Sequence, residues 1–172
     1  SKLRKAGKST CANCYALKGF YNMPSVKNAL EKRFEKVTQD LQAWQADMTL
    51  LIHNTNQSGF FRWHDSGDLQ SLDHLKNIFK VCEGTPDTSH WIPTREAQIL
   101  KQVKPEEVPK NLIIRMSSHM VDQPPVKFWP WTSTVISGQG VASCPAPKQN
   151  NSCGSCRSCW DRKIPNVSYG KH

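Results

Sequence analysis

Apolar residues recur along this chain in two rhythms. Between Pro24 and about Asn54 they fall at helical spacing: Val26, Leu30, Phe34 and Val37, then Leu41, Trp44, Met48, Leu51 and Ile52. Pro24 suits a first turn, so the pattern predicts two successive helices with core-facing stripes. The polar run Asn54-Thr55-Asn56-Gln57-Ser58-Gly59 ends them. Short apolar runs then alternate with helical periods. Residues 60–64, 90–93, 111–116 and 133–137 read as strands, 69–81 and 96–103 as helices, with Leu72, Leu75, Ile78 and Phe79 facing inward.

Strands that alternate with helices of this length require crossover connections and hence a mostly parallel sheet. The expected architecture is α/β: a small sheet or partial barrel with flanking helices. A chain of 172 residues is long enough for a single domain with a core. That domain divides into a basic arm at 1–10, an α/β core at 11–137 and an irregular, cysteine-rich segment at 138–172, where Gly, Pro, Ser and Asn are frequent. Such a segment has little apolar content and is expected to fold around a metal.

Ligands of parallel sheets bind beyond the carboxyl ends of the strands. The four predicted strand ends are all polar: His64-Asp65-Ser66-Gly67-Asp68, Thr94-Arg95-Glu96, Ser117-Ser118-His119 and Ser137-Gly138-Gln139-Gly140. His64, Asp65 and Asp68 are the catalytic candidates, since an imidazole beside two carboxylates suits proton transfer. Asp68 also suits a helix cap, and Arg95 and Glu96 suit either a ligand clamp or a mutual pair. Ser66, Gly67, Thr94, Arg95, Glu96 and Ser117 are the candidates for holding a cofactor. The other histidines read as structural, and Trp129 and Trp131 among their prolines suit either a surface that stacks a base or a packed loop.

Six of the seven cysteines are clustered: Cys11 and Cys14 near the start, Cys144, Cys153, Cys156 and Cys159 near the end. Thiolates separated by two residues converge readily on one centre. The odd count argues against a disulfide framework, and Cys82, alone in an apolar run, reads as a small core residue. Paired C-x2-C knuckles suit zinc, whereas the run C-x2-C-x2-C follows loops that hold an iron–sulfur cluster, most often 4Fe-4S.

The 23 basic and 14 acidic residues leave a net charge of +9. That balance favours an anionic partner, a nucleotide or nucleic acid, with a host protein as the other candidate. No apolar run is long enough to span a bilayer, and free clustered thiols suit a reducing compartment, so the expectation is a cytoplasmic protein.

T-C-A-N-C-Y-A-L-K-G-F-Y, F-R-W-H-D-S-G-D-L, W-I-P-T-R-E and the closing C-P-A-P…C-G-S-C-R-S-C-W-D together resemble the phage family catalogued as gene product eighty-eight. That resemblance implies bacteriophage origin, hence a host-cell cytoplasm, and a cysteine-rich α/β domain. The chain is also distantly similar to radical S-adenosylmethionine enzymes. This second similarity implies a cluster held by Cys11 and Cys14, with S-adenosylmethionine against the H-D-S-G-D and T-R-E turns. Gly7 stands where the first cysteine of that family's C-x3-C-x2-C would fall, so a late cysteine would have to replace it.

Overall fold

The computed structural model describes residues 7–12, 16, 18–65, 67–138 and 142–171. Most of the basic arm, Cys14, Ser66, Gln139, Gly140 and His172 lie outside the described residues. The elements are α1 (Pro24–Gln39), α2 (Leu41–Thr55), β1 (Phe60–Arg62), α3 (Leu72–Glu83), β2 (Ser89–Thr94), α4 (Ala97–Leu100), β3 (Leu112–Ser117), β4 (Thr132–Ile136) and β5 (Asn166–Gly170), with short 3-10 turns between them. The strands form one sheet in chain order, β1 to β5, and every neighbouring pair is parallel. A parallel sheet whose order follows the chain curls into half of a barrel, with a convex and a concave face.

The period of two along each strand divides its side chains between those faces. On β3, Leu112, Ile114 and Met116 join Leu75, Ile78, Val81 and Ile52 in the core beneath α2 and α3. Ile113 belongs to a second cluster on the concave side with Trp91, Val167 and Cys159. Ser71 caps α3 by accepting the amide of His74 at 3.0 Å, and Asp40 caps α2 through the amide of Ala43 at 2.9 Å. Cys82 is fully buried in the convex core, and burial pushes its thiol pKa up.

Two expectations are corrected. α1 is a helix, yet none of its residues is buried and Phe34 remains half exposed, so its stripe is no core face. A periodic pattern specifies a helix, but only a second surface can bury it, and α1 lies outside α2 rather than against the sheet. The cysteine-rich segment, in turn, is not irregular throughout. Its last residues form β5, which pairs with β4 from Asn166 to Gly170.

The rest of that segment plugs the concave face at the amino ends of the strands. Arg115 is fully buried there. Its five N–H donors all go to main-chain carbonyls: Nε to Cys159, Nη1 to Thr132 and Ile164, Nη2 to Ser158 and Asp161, at 2.8–3.3 Å. Arg162 adds bonds to the carbonyls of Val108, Pro109 and Leu112 and lies over the Trp131 ring. The indole of Trp160 donates to the carbonyl of Phe61 and meets Trp91 edge-on. The plug therefore reaches from β5 to β1.

Replacing Arg115 with Met would remove five hydrogen bonds to main-chain carbonyls, of which those of Ser158 and Asp161 keep a second donor in a main-chain amide. Urea unfolding followed by tryptophan fluorescence should show a loss on the order of 3 kcal/mol or more, with Arg115→Lys, which lacks the planar fork, in between. A second outcome concerns acid. Burial lowers the pKa of His74 and of His90 from 6.5 to about 4. Below pH 6.5 the unfolded chain takes up protons that the folded chain refuses. Stability is thus full above pH 6.5 and falls toward pH 4, by about 3 kcal/mol for each of the two histidines, as denaturation at stepped pH should show.

Candidate functional site

The plug leaves part of the concave face open, and two cavities stand out among the described residues. The smaller, about 20 Å³, is lined by Cys144, Cys153, Cys156 and Cys159 together with Ser158, Trp160 and Val167. Each cysteine arrives differently. Cys144 runs beside β5, its amide bonded to the carbonyl of Ser168 at 3.0 Å. Cys153 and Cys156 belong to one tight turn, Cys156 N–H to Cys153 carbonyl at 2.9 Å, and Cys159 follows in the 3-10 turn that Arg115 grips. Among the described residues, no three His, Cys, Asp or Glu side chains stand in ligating positions for a metal ion. The four thiols are neighbours around a cavity, and all are free.

Their acidities are set apart by their surroundings. The Ser158 hydroxyl and amide beside Cys156 lower its pKa, and that residue is partly buried. Burial raises Cys159, against the pull of a hydrogen bond with the Tyr169 hydroxyl at 3.2 Å and of the Arg115 cation. Cys11 has no part in this nest. Its amide bonds the Ser9 hydroxyl at 3.1 Å, in a stretch that Ser9 and Met120 tie to the opposite end of the sheet by an antiparallel bridge.

The larger cavity, about 590 Å³, lies toward the carboxyl ends of the strands. Its lining draws on every strand: Arg62, Trp91, Ser117, Ser133, Val135 and Tyr169 among others, closed by Ser9 and Thr10 from the arm. Tyr169 thus lines this cavity while its hydroxyl meets Cys159. Of the residues expected at a cofactor site, Arg95 and Ser117 are here.

The others stand elsewhere. Asp68 accepts from the Thr94 hydroxyl, from the amide of Arg95 at 2.7 Å and from its own neighbour Leu69 at 2.8 Å. It clamps the β2–α4 turn. Thr94 is buried in that clamp, and Glu96 stands at the start of α4. Gly67 has φ +94°, a conformation that favours glycine and lets the chain turn back toward the clamp. Asp65 lies near the hydroxyl of Tyr21, to which it is hydrogen-bonded. His64 holds a left-handed backbone at φ 61° and packs toward His74, ring centroids 5.6 Å apart, on the convex side. Neither of its ring nitrogens has a hydrogen-bond partner among the described residues. Burial lowers its pKa, Asp68 opposing and Arg62 reinforcing the shift, so the imidazole is neutral.

Arg62, Trp91, Ser133, Tyr169 and Lys171 line the cavity without having been singled out in the sequence. The signal was the strand period: the residues that share a phase with Arg95 and Ser117 point to the same face.

Fold and site together define an α/β half-barrel with a cysteine nest under a cationic cavity. The sequence profile of the gene product 88 family matches residues 4–162. The chain belongs to this phage protein family. No curated protein and no solved structure matches it. No helix among the described residues is long and apolar enough to cross a membrane.

Asp68→Asn should cost about 2 kcal/mol in chemical unfolding, because a charged acceptor of three donors is replaced by an amide.

Proposed function

We propose that this protein is a ligand-binding module whose concave face is closed by a metal centre of four thiolates, Cys144, Cys153, Cys156 and Cys159. One observation carries the reading: all four thiols line a single small cavity beside a fully buried cation. Burying a guanidinium without a nearby negative charge is costly. Arg115 bonds only to carbonyls, and thiolates around a divalent ion would supply the missing charge within its surroundings.

The size of the nest bears on which metal would fit. About 20 Å³ holds one ion rather than a cube of iron and sulfur, which supports zinc in tetrahedral coordination. The C-x2-C-x2-C run supports the iron–sulfur alternative, and exposed Cys153 has freedom to withdraw and make room for a cluster. In either case Cys11 lies outside the proposed set. The radical version of the iron–sulfur reading would place S-adenosylmethionine in the large cavity. That cofactor brings a sulfonium cation, and among the described residues the lining of the cavity holds three cations and no carboxylate. We therefore do not extend the proposal to S-adenosylmethionine. The excess positive charge of the chain supports an anionic partner for the module instead.

Purification without oxygen, followed by assays of zinc, iron and acid-labile sulfide, tests the centre. The expected result is about one zinc per chain, lost in Cys159→Ser and retained in Cys11→Ser, with segment 142–171 becoming sensitive to limited proteolysis when the metal is removed. Matched iron and sulfide would select the cluster. Protein without bound metal, even after reconstitution with each, would overturn the proposal.

A further inference from the structure

The large cavity carries charge of one sign. Among the described residues, Arg62, Arg95 and Lys171 line it and no carboxylate does. Asp122 lies near Lys171 but outside the lining, and its carboxylate is taken by the amide and hydroxyl of Ser137. Among the described residues the ion pair is Lys36 with Asp47, far from this face, so none of the three cations is neutralised by a salt bridge.

Two residues of the lining also carry buried donors without acceptors. The Nε of Arg95 is buried and has no hydrogen-bond partner. Trp91, only 7% exposed, likewise has an unpartnered indole N–H. The hydroxyls of Ser117 and Ser133 bond to each other at 2.9 Å, which uses one of their two protons and leaves the other to donate. Buried donors without acceptors are costly, and an oxygen-rich ligand toward which the Arg95 side chain turns would relieve that cost.

We infer that this cavity binds an organic phosphate of about the size of a mononucleotide, its phosphoryl oxygens held by Arg95, Arg62 and the Ser117–Ser133 pair. A planar guanidinium matches two oxygens of a phosphate at once, and a dianion balances more than one of the cations. The volume, about 590 Å³, falls within the range of sites for such molecules. The remaining walls, with Val121, Val135 and the Tyr169 ring, suit the organic part. The charge is gathered in a hollow rather than strung along a groove, which favours a small molecule over a polymer. This inference deepens the ligand-binding half of the proposed function and does not depend on the identity of the metal.

Isothermal titration of the full chain with AMP, ribose 5-phosphate and adenosine tests it. The expected result is micromolar binding of AMP or ribose 5-phosphate that weakens with salt, with adenosine at least about tenfold weaker. Arg95→Ala should weaken binding by about tenfold or more, and Lys171→Gln and Ser133→Ala by less. Lys171 is exposed just after β5 and Ser133→Ala only removes a buried hydroxyl, so these two keep the test valid should Arg95→Ala fail to fold. Three results would overturn the inference: no binding of either phosphate at millimolar concentration, adenosine binding as well as AMP, or affinity unchanged in all the variants that fold. A short oligonucleotide that binds where mononucleotides do not would also overturn it, in favour of nucleic acid. Zinc, iron and sulfide measured on the same samples separate the two proposals, because metal-loaded protein that ignores phosphate leaves the thiolate centre standing, and metal-free protein that binds it does the reverse.

Discussion

A single guanidinium, fully buried in the middle of the third strand, sets the arrangement of the concave face. Arg115 has five N–H groups in a rigid plane, and each is met by a main-chain carbonyl of β4 or of the segment from Ser158 to Ile164. Side-chain flexibility is lost once for five bonds, and each bond fixes a stretch of chain that has little regular structure of its own. Cys159 is positioned by the carbonyl of its own residue, and Ser158, which shapes the acidity of Cys156, is positioned by the next bond. The thiol nest is in this sense built from the sheet outward. Its geometry depends on a cation more than on the cysteines themselves.

The strand order supplies the space for this. In a sheet that winds back and forth, helices cover both faces; in one whose order follows the chain, they gather on the convex face and leave the concave one open. Here α2, α3 and α4 close one side with a continuous apolar core. On the other side the plug occupies the amino-terminal half, held by Arg115, Arg162 and Trp160, and the carboxyl-terminal half remains a cavity. Tyr169 stands at the boundary, its ring toward the cavity and its hydroxyl on Cys159.

Much of the fold was legible because it rests on local rules. Period-two and helical patterns in 60–117 specify strands and helices whose partners follow within a few residues, and the alternation of the two implies parallel crossovers. The errors came where burial is decided at a distance. The stripe of α1 has the right spacing, but α1 packs on α2, which in turn packs on α3, so Phe34 is left facing solvent. Asn166-Val167-Ser168-Tyr169-Gly170 has only two large apolar residues and follows a cysteine-rich loop, and it becomes a strand because β4 presents a free edge to it.

For the site, the sequence by itself determined which groups are available: the clustered thiols, the excess of basic residues and the polar strand ends. Spacing along the chain governs how a local turn such as Cys153 to Cys156 is made. Tertiary structure decided which groups meet. It separated Cys11 from the late cysteines, turned Asp68 into a clamp for the turn beside Arg95, and directed His64 to the convex side. It also gathered Arg62, Arg95 and Lys171 around one hollow. The reason is that a strand's side chains alternate between faces, so whether neighbours in sequence share a site depends on their phase in the sheet, and phase is fixed by register with strands many residues away.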